Sequence, residues 1–124
     1  MKVLLIDDED DIRRIARLSL TRVGGLDVVD AGDGATGVER AAAESPDVIL
    51  LDVMMPGQDG PATLAVLRAN PATASIPVVF LTAKAMPDEL QRLMRLGVRG
   101  VLNKPFDPMT LPAQLKRVLA GDAP

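Results

Sequence analysis

The chain has 124 residues, 48% of them hydrophobic and 25% charged, and a net charge of −3. That balance excludes a disordered tail, and a chain this long buries roughly two-thirds of its unfolded surface in one domain. With neither Cys nor His there is no disulfide framework, thiolate nucleophile, imidazole ligand or Ser–His pair. The acidic balance also argues against direct DNA binding.

The first apolar run, Lys2–Ile6, is too short for the core of a signal peptide and breaks into Asp7-Asp8-Glu9-Asp10-Asp11. A helical stretch follows, with Ile12, Ile15, Ala16, Leu18, Leu20 and Val23 spread over an arc of roughly 200°. Such an arc fits a deeply buried helix, or one that leaves Ile15 and Leu18 as an exposed docking edge. Gly24-Gly25 ends it. The second run is Asp27–Ala31, closed by Gly32-Asp33-Gly34, and the third is Asp47–Leu51, ending on Asp52. Pro56-Gly57 and Asn70-Pro71 bracket the next helical stretch. The fourth run, Ile76–Leu81, gives way to Thr82-Ala83, and Leu90, Leu93 and Met94 carry the periodicity of the following helix. The fifth run, Val98–Leu102, ends in Asn103-Lys104-Pro105-Phe106. Residues 1–121 thus read as a single domain and 122–124 as a C-terminal tail. No stretch approaches the ~18 apolar residues of a membrane span, so the expected location is cytoplasmic.

Short runs rich in Val, Ile and Leu, alternating with amphipathic stretches, predict an α/β fold with a parallel sheet covered on both faces. Ligands of such sheets sit beyond the carboxyl ends of the strands. If the first and third strands are neighbours, Asp7, Asp8 and Asp52 converge there. Two carboxylates ~5 Å apart repel by about 3 kcal/mol at an effective dielectric of 20, a cost that no structural role requires. An oxygen-only cluster suits a hard cation, Mg²⁺ best. Glu9, Asp10 and Asp11 are explained more simply, as acids at the positive end of the first helix. Thr82 and Lys104 add a hydroxyl and an ammonium at the same rim, and the set describes a phosphoryl site.

Asp7-Asp8, Asp52 followed by Met54-Met55-Pro56-Gly57 and Asp59-Gly60, Thr82-Ala83 and Lys104-Pro105-Phe106 occur in this order along the chain. The sequence thereby resembles the CheY-like receiver domains of two-component response regulators, from Lys2 to about Ala120. The resemblance implies a three-layer, doubly wound (βα)5 sandwich of the flavodoxin type with strand order 2-1-3-4-5. It implies that Asp52 is the phosphoacceptor and that Asp8, Asp52 and the backbone carbonyl of Met54 bind Mg²⁺, with Asp7 acting mostly through water. Thr82 and Lys104 would hold the phosphoryl oxygens, and the Lys104–Pro105 bond would be cis. The implied partners are a sensor histidine kinase or histidine phosphotransfer protein, met through the first helix, and an unknown downstream protein. The fourth helix, fifth strand and fifth helix, with Arg92, Arg95 and Arg99, form the other implied contact face.

Val101 stands where many such domains carry an aromatic ring, so the ring-flip form of the switch is absent. Met54 and Lys84 offer neither acid nor amide to orient a water, which points to a slowly decaying phosphoaspartate. The leading reading is a stand-alone receiver, monomeric or weakly dimeric, that signals by protein contact. It is not an enzyme, although Mg²⁺-dependent self-phosphorylation and autodephosphorylation are expected. A phosphate sink or phosphorylation-independent adapter is the alternative. An aspartyl-phosphate hydrolase is disfavoured because Met54 cannot donate a proton, and a flavin or nucleotide carrier because no Gly-rich loop follows the first strand.

Overall fold

The computed structural model describes residues 1–84 and 86–121; the expected tail at 122–124 lies outside the described residues. The elements are β1 (Lys2–Ile6), α1 (Asp10–Leu18), a π-helical turn (Ser19–Val23), β2 (Asp27–Ala31), α2 (Gly34–Glu44), β3 (Val48–Asp52), α3 (Gly60–Ala69), β4 (Val78–Thr82), α4 (Pro87–Met94), β5 (Gly100–Asn103) and α5 (Leu111–Leu119). All pairings are parallel and the sheet order is β2-β1-β3-β4-β5, as expected.

Successive strand residues point to opposite faces, which divides the core in two. On β1, Val3 and Leu5 pack with Ala16, Leu20, Leu111, Leu115 and Val118 beneath α1 and α5. Leu4 and Ile6 pack with Ala41, Leu64, Leu67 and Leu93 beneath α2, α3 and α4. The central strands β3 and β4 are buried along their whole length, which is why their sequences read as unbroken apolar runs. Edge strands β2 and β5 are less covered, each with an exposed terminal residue and part-buried positions within.

Three strands begin later than predicted. Pro77 has no N–H to offer the ladder, and Ile76 donates back to the Thr73 carbonyl in a turn. Asp47 spends its carboxylate on the Lys2 N–H, and Val98 follows Gly97, whose φ of 81° is a turn conformation. Two helix starts are capped by side chains: Asp33 accepts the Thr36 N–H and Asp59 the Ala62 N–H. Glu9 precedes α1 without capping it.

The first helical stretch is not uniformly buried. Ala16 and Leu20 are inaccessible, whereas Ile15 and Leu18 are 42% and 50% exposed. Of the two readings its apolar arc allowed, the exposed edge is the one found. Past Leu18 the chain widens into the π-turn, whose wider winding a 100° periodicity does not follow.

Candidate functional site

Each functional side chain is delivered by the end of a strand. β1 and β3 are neighbours in register, Ile6 beside Leu51, so Asp7 and Asp52 leave the sheet side by side. Carboxylate oxygens of Asp7, Asp8 and Asp52 all lie within 4.8 Å of one another. Asp7 is fully buried and Asp52 is 3% exposed. The chain after Asp52 turns back sharply, with the Gly60 N–H donating to the Val53 carbonyl. A Cβ on Gly60 would sit 2.7 Å from the Asp52 carbonyl oxygen and 2.8 Å from Val53 Cα. Only glycine lets α3 start this close to the acidic residue.

β5 brings the cation. Lys104 follows Asn103, its N–H donates to the Thr82 carbonyl, and the Lys104–Pro105 bond is cis. Its Nζ lies 2.9 Å from Asp7 Oδ2, 3.2 Å from Asp52 Oδ1 and 3.5 Å from Glu9 Oε1. Thr82 is buried at the end of β4, and its hydroxyl accepts the Lys84 N–H. The structure thus brings Asp7, Asp8, Asp52 and Lys104 into one cluster and sets Thr82 on the adjoining strand end.

The electrostatics are those of a site short of positive charge. Burial, and then the Asp7 carboxylate, push the Asp52 carboxyl up to about 6, against the opposing pull of Lys104. Burial alone would lower Lys104, but Asp7 and Asp52 outweigh it and hold the ammonium above its ordinary range. Asp8 Oδ1 and Asp52 Oδ2 remain buried with no hydrogen-bond donor, and Asp7 Oδ2 has only the Lys104 ammonium beside it. Buried oxygens in that condition are costly, and oxygens converging on one spot are what a hard cation of Mg²⁺ type takes as ligands. The donor set fits such an ion.

A family model described as "Response regulator receiver domain" matches residues 3–116. The chain belongs to that family. The receiver is 36% identical over 118 residues to the alkaline phosphatase synthesis transcriptional regulatory protein PhoP of Bacillus subtilis, covering 95% of this chain and 48% of that protein. It is 36% identical over 117 residues to the transcriptional regulatory protein CseB of Streptomyces coelicolor, covering 94% of this chain and 48% of that one. It spans about half the length of these curated relatives. Among solved structures, the Vibrio cholerae chemotaxis protein CheY4 superposes with a TM-score of 0.86 at 34% identity, over 94% of this chain and 97% of that one. A response regulator from Desulfuromonas acetoxidans gives 0.84 at 30% identity, over 96% of each. No helix among the described residues is long and apolar enough to cross a membrane.

Two residues of the receiver's site escaped the sequence reading. Glu9, assigned there to the helix end alone, also reaches the Lys104 ammonium. Arg13 donates to the Asp7 main-chain carbonyl at 2.8 Å. Its spacing from Asp10 was the available signal, but that spacing reads as an ordinary surface pair.

Proposed function

We propose that this receiver accepts a phosphoryl group on Asp52 from a sensor histidine kinase or phosphotransfer protein and signals through protein–protein contact. The observation that carries the reading is a buried carboxylate at a strand end, 3.2 Å from a part-buried ammonium, with two further carboxylates converging on the same spot. An Asp52 oxygen bonds to phosphorus while the P–N bond of the donor's phosphohistidine breaks, and the electron pair leaves on the imidazole. Mg²⁺, held by Asp7, Asp8, Asp52 and the Met54 carbonyl, would neutralise the anionic partners and stabilise charge on the transferring group.

The chain's own residues do the rest. Burial keeps bulk water from Asp52, and the Met54 N–H lies 3.4 Å from Asp52 Oδ1 and orients it. Lys104 can turn from Asp7 toward the new oxygens, which carry about −1.5 to −2 charge on the analogy of other phosphorylated side chains. The Thr82 hydroxyl, now only an acceptor, still has its proton to donate to them. Movement of the Thr82 loop and of Lys104 is then the change that a partner reads. The domain is a signalling phosphoacceptor, not an enzyme acting on a separate substrate.

Incubation with Mg²⁺ and a small acyl phosphate, followed by intact mass, tests this. A single phosphoryl adduct on the native chain and none on Asp52→Asn is expected. If neither the acyl phosphate nor a phosphorylated histidine kinase gives an adduct on the folded protein, the phosphorylation-independent adapter replaces this reading.

A further inference from the structure

The Asp7–Asp8 corner is held from behind by an arginine that plays no part in the phosphoryl chemistry. Arg13, on the first turn of α1, is part-buried, its side chain 21% exposed. Its Nη1 donates to the Asp7 carbonyl at 2.8 Å, its Nη2 to Asp10 Oδ1 at 2.7 Å and its Nε to Asp30 Oδ2 at 3.2 Å. The other oxygen of Asp30 is taken by Arg17 Nη1 at 3.0 Å. A planar guanidinium spreads its donors over three nitrogens and so reaches three acceptors set apart in this way, whereas an ammonium directs all its donors from a single nitrogen. The turn after β2 is shaped around it, since a Cβ on Gly32 would already lie 3.3 Å from Arg13 Nη1.

The Asp7 backbone is otherwise poorly tied. Its N–H extends the ladder to the Ala31 carbonyl, but the pairing of β1 with β3 ends at Ile6. The Asp7 carbonyl is past the last rung, and Arg13 supplies its donor. The Asp7 side chain accepts the Glu9 N–H through Oδ1 at 2.9 Å, which leaves Oδ2 facing the cluster. Arg13, its charge paired with Asp10 and Asp30, therefore fixes the direction of the acidic corner through the Asp7 carbonyl without covering Asp7 Oδ2 or Asp8 Oδ1. Lys104, by contrast, stands directly against Asp7 Oδ2.

We infer that Arg13, anchored by Asp30, is a positioning residue for the divalent-cation site, holding the Asp7–Asp8 turn so that its carboxylate oxygens converge with those of Asp52. The inference rests on reading these carboxylates as cation ligands.

Calorimetric titration of the full chain with MgCl₂ tests it. Residues that orient metal ligands typically change affinity about 10–100-fold when removed, so Arg13→Met is expected to bind Mg²⁺ about tenfold more weakly than the native chain. Arg13→Lys, which keeps the charge and loses the three-way span, is expected to weaken binding by a smaller factor. Asp30→Asn should weaken it too, and the double variant should be no weaker than Arg13→Met alone, because both act through one clamp. Melting temperature measured without metal is the second readout. Variants that melt lower but bind Mg²⁺ with native affinity overturn the inference and leave Arg13 a plain structural tie. Additive losses in the double variant overturn the anchoring role of Asp30. If Arg13→Met does not fold, unchanged affinity in Asp30→Asn is the overturning result. A native chain that binds no Mg²⁺ overturns instead the assignment of the carboxylates as ligands.

Discussion

Removing the carboxylate charge of Asp52 should make the metal-free protein more stable, although it removes the proposed acceptor. Asp52→Asn preserves shape and keeps an oxygen for the Met54 N–H. The native group is pushed from its ordinary 3.8 up to about 6. A carboxyl with a raised folded-state pKa binds its proton more tightly when folded. Native stability is therefore intact below about pH 4, falls as pH rises through the interval up to about 6, and stays reduced above it. The interval corresponds to about 3 kcal/mol, which relaxation of the surrounding dipoles reduces to about 1–2 kcal/mol. For a domain of this size that is a rise in melting temperature of about 3–10 °C. Circular dichroism melts in chelator at pH 8 and pH 5 provide the assay. Aromatic fluorescence is unsuitable because the chain has neither Trp nor Tyr. Asp52→Asn should melt higher at pH 8, with the gap about halved at pH 5. A variant less stable than native at pH 8, or a gap that ignores pH, refutes the reasoning.

Lys104→Met removes a cation that now competes for Asp7 and Asp52. It should lower metal-free stability by roughly 2 kcal/mol through uncompensated carboxylates, yet tighten Mg²⁺ binding, both readable by melts across a Mg²⁺ titration. Gly60→Ala should cost about 1–3 kcal/mol in urea unfolding, because its Cβ meets backbone and not a movable side chain. Leu18→Ser, on the exposed edge of α1, should leave stability within about 0.5 kcal/mol and slow phosphoryl transfer from a kinase but not from an acyl phosphate. Met54→Asn supplies an amide at an exposed position beside Asp52 and should shorten the phosphoaspartate lifetime in a decay time course.

The elements legible in the sequence were those with an abrupt change of character. β3 is apolar from Val48 to Leu51 and then ends in an acid; an equally abrupt change marks Ile6 before Asp7 and Leu102 before Asn103-Lys104. Because a parallel sheet sends the carboxyl ends of all its strands to one rim, such strand ends mark Asp7, Asp8, Asp52, Thr82 and Lys104 as candidates. Convergence itself needed the neighbour relation of β1 and β3, which the resemblance implied and the register establishes. Arg13 was illegible because its partners Asp7 and Asp30 belong to two different strand ends, and no local pattern joins them. The π-turn was hidden for another reason. Ser19 is drawn in to donate to the Pro108 carbonyl, a tertiary contact that overrides the helical period, and Leu20 follows it into the core. The strand starts at Asp47, Ile76 and Val98 were misplaced because hydrophobicity does not register where the ladder begins.

The open sheet also bears on how this domain meets other chains. Its outer strands, β2 on one side and β5 on the other, present unpaired backbone groups that invite addition of a foreign strand. β5 has only four residues and ends in exposed Asn103. β2 begins with exposed Asp27 and carries Asp30, tied down by Arg13 and Arg17. Short length on one border and fixed charge on the other make strand-by-strand growth unfavourable. Copies of this domain can therefore crowd together without zipping into a continuous sheet, which leaves helix faces and loop tips as the surfaces for reversible contact.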